Sequence, residues 1–127
     1  MIPPIPGADR VAAWFGLWPS FHHAEILSLH LNQRSPSLIR IHTWNVSDES
    51  DRGGQHVRDR EAIVVFELAT LMLVHMEAED VDRNDVIQGL SVEETEKGGY
   101  RLRLLPWRGL SGEIVAQELA VRIEVGM

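Results

Sequence analysis

Cysteine is absent from this 127-residue chain. Its absence excludes disulfide bonds, thiolate nucleophiles and cysteine-ligated zinc, and it leaves histidine and carboxylate side chains as the strong metal ligands. Basic residues are also few, 12 against 19 acidic residues, which gives a formal net charge of −7. Binding to nucleic acid needs a clustered basic surface, so this composition argues against a nucleic-acid partner and suits a cationic protein partner better.

Long hydrophobic runs are missing as well. No segment approaches the roughly 18 uninterrupted apolar residues of a membrane-spanning helix. The first residues, Met1–Gly7, hold neither a basic stretch nor the apolar run of a secretory signal. We therefore expect no membrane association and a cytoplasmic location. The length suits one domain over residues 1–127, with a core large enough to fold without disulfides.

The sequence does contain the alternation that is typical of antiparallel strands. Leu27, Leu29 and Leu31 alternate with polar residues, which predicts a strand over residues 25–32 with these leucines on its covered face. A second strand is predicted over residues 38–46, and pairing of the two apolar faces makes a hairpin.

Later segments predict more strands and two short helical pieces. An N-terminal helix near residues 9–15 and a helical turn over Asn84–Gly89 are each closed by glycine. Two apolar runs predict strands over residues 62–66 and 68–77, and alternation predicts others over 90–95, 100–104 and 119–125. Lys97-Gly98-Gly99 predicts a hairpin turn, whereas residues 47–60 and 107–112 predict surface loops, the first of them mobile.

These segments together predict an α+β fold. Its main part is an antiparallel sheet of about six strands, arranged as hairpins and a meander, with the short N-terminal helix and the one short helical turn beside it.

Histidines near the first two predicted strands are the candidate metal ligands. The set is His22, His30 and His42, with Glu25 as an accompanying carboxylate. Neutral imidazole suits zinc, copper or nickel, and correct pairing of the strands would place His30 and His42 on one common outer face. The spacing matches no HExxH or comparable motif, so the sequence predicts no catalytic residue and no cofactor. A small metal- or carboxylate-dependent enzyme built on these four residues is the alternative.

Acidic residues recur in three segments and are the candidate partner-binding residues. They are Asp48, Glu49, Asp51, Glu77, Glu79, Asp80, Asp82, Glu93, Glu94 and Glu96. If these side chains converge on one side, they form a negative patch able to attract and hold a basic protein. A third possibility is a module that self-associates through an exposed strand edge, and the sequence leaves monomer and homodimer open.

Four segments together resemble the bacterial immunity protein 50 family. They are Trp14–Ile26, Ile41–Trp44, Asn84–Leu90 and Gly109–Gly112. The resemblance implies a small cytoplasmic protein of a polymorphic toxin system, which binds and neutralises a cognate toxin domain and catalyses no reaction. The family pattern has an acidic residue where this chain has His23, which argues against a shared metal or catalytic pair at that position.

Overall fold

Six antiparallel strands and one short helix make up the structure, a computed structural model that describes residues 2–32, 34, 36–50, 56–78, 85–108 and 110–124. The elements are α1 (Ala8–Phe15), β1 (Glu25–His30), β2 (Ser37–Ser50), β3 (His56–Ala78), β4 (Asp85–Glu94), β5 (Tyr100–Arg108) and β6 (Leu110–Glu124). Every described strand pair is antiparallel, which confirms the predicted α+β fold built mainly from an antiparallel sheet. No helix in these ranges is long and apolar enough to cross a membrane.

The strands close into a barrel in the order β1–β2–β3–β6–β5–β4. The seam between β1 and β4 is short and includes the pair Glu25↔Val86. Ile87 lengthens it with two backbone hydrogen bonds, one accepted from the His23 N–H (2.9 Å) and one donated to the Ala24 carbonyl (3.0 Å). This seam allows the inward-facing side chains to form one continuous core.

Helix α1 covers one end of the barrel and packs on β6 and β3. Val11 and Phe15 are buried on its inner side, as expected for an amphipathic helix. The segment before it is fixed to β6 because the Val121 N–H donates to the Pro6 carbonyl at 2.9 Å. Gly16 ends the helix in the left-handed conformation, which confirms the predicted glycine stop.

The alternation predicted for β1 is right at Leu29 and wrong at Leu27, because the strand contains a bulge. The pairing register shifts between Ile26 and Ser28, so Leu27 is 49 % exposed, while Ile26 and Leu29 pack against the core. A bulge inserts one extra residue and reverses the face of everything beyond it. Leu31 is also exposed, at 44 %, and lies beyond the end of the strand.

Strand β3 spans both apolar runs that were predicted as separate strands. At Glu67, where the sequence predicted the break, pairing with Leu38 and Ala120 is regular. A second bulge lies further along, where the register with β6 shifts between Leu71 and Leu73 and Thr70 adopts φ 58°. Backbone pairing with β6 continues on both sides of this bulge, so the chain stays extended.

Three further predictions fail for one reason, which is that strand pairing extends past the polar or proline-containing residues. Residues 85–89 of the predicted helical turn belong to β4. Of the predicted mobile loop over residues 47–60, residues 47–50 belong to β2 and residues 56–60 to β3, while residues 51–55 lie outside the described residues. The predicted loop over residues 107–112 is strand except at residue 109, which lies outside the described residues. The hairpin turn at Gly98 is confirmed, with Gly98 N–H donating to the Thr95 carbonyl at 3.1 Å.

Candidate interaction surface

Four strands present a continuous outer face, and cross-strand pairing aligns its side chains in rows. Leu73 of β3 pairs with Val115 of β6, Val115 with Arg101 of β5, and Arg101 with Glu93 of β4. Ile114 and Ala116, on either side of Val115, point into the core. Because side chains alternate along a strand, Val115 and the residues paired with it point outward. The barrel thereby brings together side chains from distant parts of the sequence.

Two arginines and two glutamates on this face form a closed set of ion pairs. Arg101 lies 3.5 Å from Glu93 and 3.4 Å from Glu113. Arg103 lies 3.1 Å from Glu113 and 3.8 Å from Glu93. Such half-exposed pairs contribute little to stability, but they hold the side chains in a defined arrangement. Glu93 is therefore neutralised by its own sheet and is not a free negative charge.

A groove lies beside this network where the β4–β5 hairpin approaches β3. We call it the hairpin groove; its lining residues are Met72, Val115, Glu94, Thr95, Glu96, Lys97 and Arg101. Its volume is about 560 Å³. Two of the predicted partner-binding residues, Glu94 and Glu96, thus stand next to the apolar side chains of Met72 and Val115.

Beyond Leu68, β3 has a strand neighbour on one side only within the described ranges. Pairing with β2 ends at Leu68, opposite Ser37, whereas pairing with β6 continues to Ala78, opposite Leu110. We call the segment Thr70–Ala78 the free edge of β3. By contrast, the edge of β4 is near the N-terminal segment, because Pro3, Pro4 and Trp18 line a cavity together with Ser91 and Val92.

Large apolar side chains are exposed along the free edge of β3. Met72 is 55 % exposed, Leu73 46 % and Val74 40 %. The sequence interpretation missed them as surface residues because an apolar run also fits a buried central strand. The sequence did contain one signal of this exposure. Leu71 to Val74 are four consecutive apolar residues, so a strand covered on one face only must expose apolar side chains on the other.

The predicted acidic patch is only partly brought together. The described carboxylates Glu77, Glu93, Glu94 and Glu96 are all exposed, and Glu77 lies 3.6 Å from His75 Nε2. Asp48 and Glu49 belong to β2 and not to a mobile loop. Three candidates, Glu79, Asp80 and Asp82, lie outside the described residues, as does Asp51. Around Glu93 the surface carries both signs of charge.

The predicted histidine cluster is separated by the register of β1 and β2. His30 pairs with Leu38, four positions along β2 from His42, which corresponds to roughly 13 Å. His42 is opposite Glu25 and lies 3.5 Å from Glu61. The two histidines do share the outer face, as predicted, but not one site.

His22 lies elsewhere, at the β4 side. Its Nδ1 donates to the carbonyl of Gln88 at 3.0 Å, and its ring centroid lies 4.0 Å from that of His23, with the two rings tilted by 31°. In the part of the chain that the structure describes, no three histidine or carboxylate side chains approach closely enough to hold a metal ion.

A second ion-pair cluster lies on the outer face of β2, β3 and β6. Arg122 donates to Glu67 (2.7 Å) and to Glu124 (2.8 Å), and Arg40 lies 3.6 Å from Glu124. The Arg122 hydrogen bond lowers the pKa of Glu124, against a smaller opposing effect of desolvation. Val65 stands between the two arginines and is fully buried although it points outward. This cluster therefore covers part of the sheet with its own side chains.

Comparison with known proteins gives no match, whether to protein-family models, to curated proteins or to solved structures.

Proposed function

We propose that this protein is a non-enzymatic immunity protein, which binds a cognate bacterial toxin stoichiometrically in the cytoplasm and neutralises it by covering a surface the toxin needs. The resemblance of its sequence to the bacterial immunity protein 50 family supports this proposal. The net charge of −7 supports a basic toxin as the partner, because complementary potentials raise the association rate.

The hairpin groove is the observation on which the proposal rests. A lysine or arginine of the toxin can lay its aliphatic stem on Met72 and Val115 and place its charged head near Glu94 and Glu96. An apolar floor with a charged rim is the usual composition of a protein-binding hot spot. Lys97 at the rim adds selectivity, since it disfavours a second cation there.

The neighbouring ion pairs support the same role. Arg101 and Arg103 are each held by two glutamates, so they lose little side-chain freedom when a partner covers them. Arginine is enriched in protein interfaces, where its planar head offers several donors. The surface beside the hairpin groove is therefore preorganised for contact with another protein.

Co-expression with the product of the adjacent upstream gene tests the proposal. We expect that this gene product alone arrests growth, that the protein restores growth, and that a tag on the protein recovers a tight complex with equal numbers of both chains. If the neighbour is not toxic and no complex forms, the proposed pairing is wrong.

Charge reversal then tests the binding surface. We expect the double variant Glu94→Lys/Glu96→Lys to weaken toxin binding about tenfold to 100-fold, mainly through slower association at low salt. Glu61→Lys/Glu118→Lys is a matched control, because it makes the same change in net charge at two exposed positions that do not line the hairpin groove. Equal losses in both variants would show that net charge matters and the hairpin groove does not.

A further inference from the structure

We propose that the free edge of β3 joins two copies of this chain, with their β3 strands antiparallel and related by a two-fold axis at Val74. Within the described ranges, Thr70–Ala78 pairs with β6 alone, so the backbone groups on its other side face no strand. Backbone N–H and C=O groups in such a row readily accept another strand. Pairing would join the two barrels through a continuous ladder.

The composition of this edge favours a partner strand over water. Natural sheets protect exposed edges with lysine, proline, inward charges or a covering segment. The free edge of β3 contains neither lysine nor proline, and it exposes Met72, Leu73 and Val74. One protective feature is present, the bulge at Leu71–Leu73, but it pushes Met72 outward to 55 % exposure and does not cover the edge.

Charge favours a second copy of this chain as the occupant. The free edge carries one carboxylate, Glu77, near one end. Antiparallel pairing about Val74 places each Glu77 opposite Leu71 of the other copy, and the two Glu77 side chains are then about 20 Å apart, well beyond the screening length at physiological salt. The centre of the pair is apolar, with Val74 facing Val74. The edge is therefore complementary to itself in spite of the net charge of the chain.

The size of the contact sets the expected affinity. A single strand pair with its flanking side chains lies at or below the roughly 1,200 Å² of total buried area at which specific interfaces begin. We therefore expect a reversible dimer with a dissociation constant on the order of 1 to 100 µM. This dimer does not depend on the toxin, so it can be tested whether or not the proposed function holds.

Sedimentation equilibrium of the isolated protein over a dilution series from about 1 µM to 500 µM tests the proposal. We expect the wild type to pass from monomer to dimer, and Val74→Lys to raise the dissociation constant roughly 100-fold, because it puts two lysines opposite each other. Leu105→Lys is the matched control: Leu105 is 49 % exposed, lies on β5 away from the edge, and receives the same charge. It should leave the dimer unchanged. Circular dichroism verifies that each variant folds. If Val74→Lys does not fold, Met72→Lys serves as the test variant in its place.

A mixing experiment tests the position of the axis. Val74→Lys and Val74→Glu should each be monomeric alone, and an equimolar mixture should form a heterodimer because opposite charges then face each other. A wild type that stays monomeric throughout the series would overturn the proposal. A dimer that survives Val74→Lys and Met72→Lys, or a mixture that stays monomeric, would overturn the antiparallel contact at this edge.

Discussion

Replacement of Gly7 by alanine should destabilise the protein far more than the same replacement at Gly16. Both glycines have left-handed backbones, with φ of 90° and 87°. A β-carbon on Gly7 would lie 1.8 Å from the carbonyl oxygen of Val121, whereas one on Gly16 would meet nothing within 4 Å. The two variants therefore share the cost of the backbone conformation and differ in the collision with β6.

The magnitudes follow from these contacts. The left-handed conformation costs alanine about 1–2 kcal/mol. Alanine also reduces the conformational entropy of the unfolded chain, which offsets about 0.4–1 kcal/mol of that cost. Gly16→Ala should therefore lower the free energy of unfolding by roughly 1 kcal/mol. At Gly7 the backbone must also move away from β6. That movement breaks the hydrogen bond from Val121 to Pro6, worth about 1 kcal/mol, and loosens the buried end of α1, for a total of roughly 3–4 kcal/mol.

Urea unfolding followed by circular dichroism measures both variants. The free energy of unfolding should fall with little change in the dependence on urea, because the surface exposed on unfolding stays the same. If the two variants differ by less than about 0.5 kcal/mol, the contact between Gly7 and β6 does not limit stability and the reasoning is refuted.

Two further predictions follow from the packing and charges. Leu29→Ala should cost about 2–3 kcal/mol and Leu27→Ala less than about 1 kcal/mol in the same assay, because only Leu29 packs against the core; equal costs would contradict the bulge in β1. In an NMR pH titration the pKa of Glu124 should lie below its usual range, and Arg122→Gln should raise it; an unchanged value would show that this hydrogen bond does not form in solution. Because the pKa of Glu124 is lower in the folded than in the unfolded protein, the ionised Glu124 stabilises the fold at neutral pH. This stabilisation is lost as the pH falls through the folded-state pKa.

Local features of the sequence were sufficient where a structure depends on near neighbours. The turn at Gly98 follows from consecutive glycines between two alternating segments, and the stop at Gly16 follows from glycine after an amphipathic helix. The faces of β2 were also correct, since Ile39 and Ile41 are fully buried and His42 points outward. In these cases the residue type or the spacing alone fixes the backbone or the face.

Features that depend on distant partners were not readable in the same way. The bulge at Leu27 leaves no mark in an alternating sequence, because it is defined by the strand opposite. Glu93 looked like a free acid until β5 placed Arg101 and Arg103 beside it. A list of acidic residues therefore could not distinguish the paired Glu93 from the groove-lining Glu94.

The sequence by itself determined the class of fold and the type of surface: antiparallel strands from alternation, a short helix from spacing and glycine, and an acidic protein from composition. The tertiary structure decided which strands meet, how far each pairs, and which side chains stand together. It brought Met72 beside Glu94 and Glu96, and it left the free edge of β3 without a strand on one side in the described ranges. The physical reason is that hydrophobic periodicity depends on residues a few positions apart, whereas strand order and register depend on the closure of the whole barrel.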